Sequence, residues 1–255
     1  TETIAEDLAH AAWAEFQQIE SEGGLVESLI AGQVEARIAE KRAALMKDVA
    51  RRKISVTGVS EFPLLDELAA PVAEVTSPTP GSGVDPIGLK TLLPDFAPNE
   101  GDDTIAEPLT WISIAEPFEA LRDRSEDHLA STGARPAIFL ATLGPLAEHT
   151  ARADFARNLF AAGGIEAKSA PVPPKSIAEL AAAFQASGCQ IAVLCGADKR
   201  YAEDAADAAA ALKTAGVRTL WLAGKYEADN VDQHIFMGCD VVHELTMAIT
   251  DLGVK

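Results

Sequence analysis

Few side chains in this sequence are placed for chemistry, and each has an ordinary reading beside the reactive one. His149 follows Glu148 just past the apolar run Ile138–Ala141, where an imidazole next to a carboxylate could act as a general-base pair. Glutamate is also simply favourable at a helix N-terminus, and an exposed first-turn histidine accounts for the pair equally well. Cys195 closes a second apolar run near the same place, and a small buried hydrophobe is its expected role. Asp198-Lys199-Arg200 behind it reads as a solvated loop. Arg51-Arg52-Lys53 could hold a phosphate, but cations at a helix C-terminus also complement the helix dipole. Gly81-Ser82-Gly83 is a lone G-x-G with no strand before it and no helix after it, so it lacks the context of a dinucleotide site. There is no P-loop, no G-x-S-x-G and no H-E-x-x-H. No catalytic set and no metal-ligand set emerges.

Three regions must position these residues. In 1–62, Ile4, Leu8, Ala12, Phe16 and Ile19 mark one apolar helix face, which Gly23-Gly24 ends. A second helix is expected over Leu25–Ala50, with a basic end running into a short strand near Ile54–Ser60. Two helices and a strand bury too little to stand alone, so this region is expected to pack on something else. Region 63–135 carries the linker signal Thr76–Gly83 among many prolines, then a helix over Glu116–Thr132. Its scattered apolar residues, Leu64, Leu92, Phe96 and Trp111 among them, suggest an extended belt lying on another surface.

Region 136–255 alternates short apolar runs with helical segments. Strands are expected at Pro136–Ala141, Ile165–Ala170, Ile191–Cys195, Thr219–Leu222 and Asp240–Val242. Helices are expected between them, the third running from Ala202 to Ala215, a short one near Val231–Met237, and a last one over Glu244–Asp251. Such alternation implies an α/β, flavodoxin-like, doubly wound parallel sheet of five strands in the order 2-1-3-4-5, with any ligand at the carboxyl ends of the strands.

The composition narrows the function classes. The 255 residues carry a formal net charge of −18, which repels phosphate backbones and anionic lipid, so neither nucleic acid nor membrane is an expected partner. Alanine is abundant and aromatics make up only 5%, favouring helices packed closely through small side chains. The three cysteines show no C-x-x-C spacing, and a reducing, cytoplasmic setting is expected. No apolar run reaches the roughly 20 residues of a membrane span. The first residue is not Met and lies inside an amphipathic pattern, which suggests that a longer protein precedes it.

Several segments carry a resemblance. Arg52-Lys53 followed by Thr57-Gly58-Val59 resembles the stretch leaving the barrel domain of methylmalonyl-CoA mutases. Phe139–Gly144 looks like the start of that family's C-terminal cobalamin domain. Gly144–Arg152, with Ala115–Arg122 upstream, is most similar to the small subunit of the bacterial heterodimeric enzymes. The resemblance covers essentially the whole chain and would place the family's acyl-CoA-binding TIM barrel before Thr1.

What the resemblance implies is a chain that lost its cofactor. The family's large subunit grips cobalamin with Asp-x-His-x-x-Gly after the first strand. Here those positions are Leu146, Glu148 and Ala151. The family's Ser-x-Leu after the third strand falls at Cys195 to Ala197, and its Gly-Gly after the fourth at Ala223-Gly224. These positions depart wholly or partly from the pattern, and His149 has Ala147, not a carboxylate, two residues before it. The resemblance therefore implies a non-catalytic small subunit without cofactor, stabilising a large subunit that carries adenosylcobalamin and interconverts methylmalonyl-CoA and succinyl-CoA. Two alternatives stay open: a working adenosylcobalamin domain of an acyl-CoA mutase, and a flavodoxin-like module binding a nucleotide or flavin.

Overall fold

A computed structural model describes residues 2–67 and 112–254. These fall into two compact units, one holding 2–41 and the other 42–67 with 112–254. In the first, α1 (Glu2–Ser21) ends at Gly23-Gly24 as expected. The single helix expected over Leu25–Ala50 is instead two, α2 (Leu25–Ile30) and α3 (Gln33–Ala50). The break falls at Gly32, whose φ of 71° leaves the right-handed helical region. Within this unit Arg37 bonds the Glu22 carboxylate at 2.6 Å. The apolar stripe of α1 is exposed, Ile4 and Leu8 by 72% and 69%.

The second unit contains the α/β fold. After α4 (Glu116–Thr132) come β1 (Ala137–Thr142), α5 (Leu146–Ala162), β2 (Glu166–Ser169), α6 (Ile177–Ser187), β3 (Ile191–Cys195), α7 (Asp198–Thr214), β4 (Thr219–Ala223), β5 (Gln233–Ile235) and α8 (Val241–Asp251). All four strand pairings are parallel and the order is 2-1-3-4-5. The expected fold class is the one observed.

Alternation of side chains along each strand sorts the core into two layers. Ile138, Leu140, Val193 and Trp221 point to the side covered by α4, α5 and α8, through Phe118, Leu159, Phe160 and Leu245. Phe139, Ala141, Leu194 and Leu222 point to the side covered by α6 and α7, through Leu180, Phe184, Ala205, Ala208 and Leu212. Val49, near the end of α3, is fully buried in the first layer, so this helix end belongs to the α/β core.

Three local expectations need correction. The fifth strand is Gln233–Ile235, inside the stretch expected to be helical, and not Asp240–Val242. Asp240 is the N-cap of α8, its carboxylate accepting from the His243 amide at 3.0 Å, so Val241 and Val242 open a helix despite their β-branched side chains. Helix α7, expected from Ala202, starts at Asp198, so Asp198-Lys199-Arg200 is its first turn and not a loop. Beyond α3 the chain turns through Arg52 and makes only an isolated bridge between Thr57 and Glu61 where a short strand was expected. The Thr76–Gly83 linker, and most of the belt expected over 63–135, lie outside the described residues.

Small residues set the spacing of α7 against the sheet: Ala205, Ala208 and Ala209 are buried, while Ala210 is exposed. Ala208→Leu should therefore lower stability by about 1–3 kcal/mol through overpacking. Ala210→Leu should stay within about 0.5 kcal/mol of the parent. Urea unfolding of both variants measures the contrast, and equal midpoints would contradict close packing of this face.

Candidate functional site

In a sheet of this order the topological switch lies between β1 and β3, and the carboxyl ends of β1, β3 and β4 form the crevice where ligands bind in such folds. The positions singled out in the sequence surround it. Leu146, Glu148 and Ala151 lie on the first turns of α5, Cys195 ends β3, Ala197 precedes α7, and Ala223-Gly224 end β4. Ala151, Ala223 and Gly224 line one cavity of about 670 Å³ with Arg152, Asp198 and Tyr226. Leu146 and His149 line a separate one of about 610 Å³ with Arg200 and Pro173. Cys195 is fully buried, as expected of a small hydrophobe, and burial pushes its thiol pKa up to about 12.

Two arginines that sequence reasoning gave no role span the crevice. Arg152 donates to the Gly196 carbonyl at 2.5 Å and to Asp198 at 2.6 Å, and its guanidinium lies 4.9 Å from the centre of the Tyr201 ring. Gly224, at φ 143°, makes room for it: a Cβ there would stand 3.2 Å from the Arg152 guanidinium carbon. Arg200 donates from Nε to Glu148 at 2.9 Å, and its Nη1 faces the carboxylates of Glu203 and Asp204. The Arg200 hydrogen bond holds the Glu148 carboxyl below the usual glutamate range. No sequence spacing could have revealed these pairs, since the partners lie 46 and 52 residues apart.

Tyr201 ties the floor of the crevice together. Its hydroxyl accepts from the Gly196 amide at 3.0 Å and faces the Leu194 and Ala223 carbonyls, each at 2.9 Å. One phenol thereby satisfies the polar backbone where β3 and β4 end.

His149 departs from expectation. It is only 6% exposed, and its Nδ1 lies 3.1 Å from the Gly144 carbonyl. Nδ1 must carry the hydrogen, because the carbonyl can only accept. The residue braces the loop after β1 and is not an exposed first-turn histidine. Glu148 points away to Arg200, so the two do not form a base pair. Among the described residues no three His, Cys, Asp or Glu side chains gather as metal ligands, and no helix is long and apolar enough to cross a membrane.

Comparison with known proteins agrees with the resemblance noted in the sequence. Residues 1–79 match the family model for methylmalonyl-CoA mutase. Over 99% of its length the chain is 44% identical to the methylmalonyl-CoA mutase small subunit of Streptomyces virginiae. The chain is homologous to part of the methylmalonyl-CoA mutase small subunit. The small subunit of Propionibacterium freudenreichii subsp. shermanii is 33% identical, and the probable small subunit of Mycobacterium tuberculosis (strain ATCC 25618 / H37Rv) is 38% identical, each again over 99% of the chain. The chain spans only 36–37% of the length of these relatives.

Two outcomes test this geometry. Tyr201→Phe strands the Gly196 amide and should cost about 1–3 kcal/mol in equilibrium unfolding. The Glu148 carboxyl titrates lower in the folded chain than its ordinary value of 4.5, so its stabilising effect is complete above that pH and fades as pH falls through the folded value. Glu148→Gln should therefore lose less stability than the parent between about pH 6 and about pH 3. Parallel acid-unfolding curves would remove the ion pair from the account.

Proposed function

We propose that the chain is the C-terminal portion of a small subunit whose role is structural: it holds and stabilises a large subunit in a heterodimer. The large subunit would carry adenosylcobalamin and interconvert methylmalonyl-CoA and succinyl-CoA, while this chain contributes no reacting group. Residues 1–62 would continue the barrel domain, 63–135 would be linker and helix, and 136–255 the cobalamin-binding-like domain. The assembly would work in the cytoplasm, where the free cysteines Cys189, Cys195 and Cys239 stay reduced.

The observation that carries this reading is the occupation of the crevice by the chain's own side chains. Bound to its cobalt, a cobalamin would need an imidazole or similar donor at the loop after β1, and would supply the organometallic bond for radical rearrangement. The side chains present do not suit it. Glu148 offers a carboxylate already engaged by Arg200, and Leu146 is 71% exposed with no group to orient a ligand. His149 spends Nδ1 on the Gly144 carbonyl and is packed away beneath the loop. Arg152 lies against Gly224, where the family's tail-binding glycines would leave space. No step is assigned to the cofactor in this chain.

Co-expression with a large subunit and size-exclusion chromatography test the pairing: a stable one-to-one complex is expected, and consistently separate elution contradicts it. Titration of the chain alone with adenosyl- or hydroxocobalamin should give no base-off, His-on absorbance change. A dissociation constant at or below about 1 µM, roughly −8 kcal/mol, would overturn the cofactor-free reading. Leu146→Asp, Glu148→His and Ala151→Gly together should restore at most weak binding, because Arg152 remains in place.

A further inference from the structure

A third cavity lies where the chain leaves α3, beside the one lined by Arg152 and Gly224, with which it shares Phe155, Phe236 and Met237. It encloses about 450 Å³ and is lined by Arg51, Arg52, Glu61 and Phe62 on one side, and by Phe155, Asn158, Phe236, Met237 and Val241 among others on the opposite side. Arg51 and Arg52 belong to the basic run that the sequence offered as a phosphate site.

Three observations set this place apart. First, Arg52 is buried yet under-compensated. Its side chain is only 10% exposed, one terminal nitrogen bonds the Asn158 side-chain oxygen, and its Nε has no partner. The nearest carboxylate, Glu61, stands 3.8 Å away, beyond hydrogen-bond reach. Burial pushes the Arg52 guanidinium below its ordinary value, and the pull of Glu61 does not make up the difference. A buried cation short of partners is costly unless an anion joins it.

Second, the backbone is held in a sparsely populated conformation at this rim. Arg52 and Phe62 have φ of 57° and 53°, two of the three non-glycine residues in the left-handed region among the described residues. Such outliers persist only where the surroundings hold them, and they cluster at ligand clamps. They aim Arg52 inward and leave Phe62 76% exposed.

Third, the walls combine flat apolar surface with sources of positive potential. Phe155 and Phe236 are half-buried, Met237 is 87% exposed, and the Lys225 ammonium sits 4.5 Å over the Phe236 ring. Gly238 and Val241, just before and at the start of α8, also line the cavity, while the Asp240 carboxylate caps that helix. Of the carboxylates that also line it, Asp154 is engaged by Arg157 at 2.5 Å, which leaves Glu61 as the internal competitor for the arginines.

We infer that this cavity binds a phosphate monoester carried on a flat aromatic body, with the phosphate between Arg51 and Arg52, and the ring against Phe62, Phe236 and Met237. Guanidinium pairs favour a phosphate dianion because each fork can donate two hydrogen bonds. The aromatic surface supplies contact area that a free oxyanion would leave exposed. This site is independent of the structural role proposed above, and either can fail alone.

The test uses the 255-residue chain with adenosine 5′-monophosphate as probe, and with adenosine and inorganic phosphate as separate arms. Calorimetry reads affinity, and amide spectra follow Gly238 and Val241. The nucleotide should saturate and move both amides, with each half-ligand at least about tenfold weaker, a difference of about 1.4 kcal/mol. Arg51 is exposed, so Arg51→Ala leaves the fold intact and should weaken binding about three- to fivefold. Glu61→Gln removes the competitor and should tighten it about two- to threefold. A merely structural basic cluster would show neither change. The inference is overturned by absence of saturable binding below about 10 mM, roughly −2.7 kcal/mol. It is equally overturned by affinities unchanged in both variants, or by inorganic phosphate binding as tightly as the nucleotide.

Discussion

The architecture of the second unit depends on the burial of β3 on both faces. All five of its residues, Ile191 to Cys195, are fully buried between two helical layers. A strand with no solvent-facing side must have helices above and below, and parallel neighbours supply them through their crossovers. From this follow the two-layered core, the burial of Trp221 beside β3, and the gathering of β1, β3 and β4 carboxyl ends at one crevice. The small side chains of α7 then allow a helix to lie close enough for Tyr201 to reach the backbone of two strands.

At that crevice the chain pairs charges of its own. A protein of net charge −18 places two arginines across the ligand-binding end of its sheet, each tied to carboxylates from distant elements. The ion pairs are partly exposed, and such pairs stabilise little. Their consequence is steric and positional: Arg152 occupies the space beside Gly224, and Arg200 holds the Glu148 carboxylate against Gly144 of the loop after β1. The chain that carries this crevice is homologous to part of methylmalonyl-CoA mutase small subunits.

Much of this was legible in order. The short apolar runs predicted four of the five strands, and Ser176 and the Glu116–Thr132 period predicted their helices closely, because capping and periodicity are local properties. The failures are also local conflicts. Val241-Val242 reads as strand by side-chain type, but Asp240 caps them into a helix. Gln233–Ile235 reads as polar, but it forms an edge strand three residues long because β4 offers it a partner.

By itself the sequence determined the fold class and the strand order, and its resemblance pointed to the small subunits to which the chain proves homologous. Only the tertiary structure decided that His149 turns inward to the Gly144 carbonyl, that Arg152 and Arg200 pair with carboxylates across the crevice, and that Arg52 is buried short of an anion. The physical reason is range: helix caps and apolar periods act within a few residues, whereas an ion pair, a buried cation or a filled cavity depends on which distant segments the packed sheet brings together.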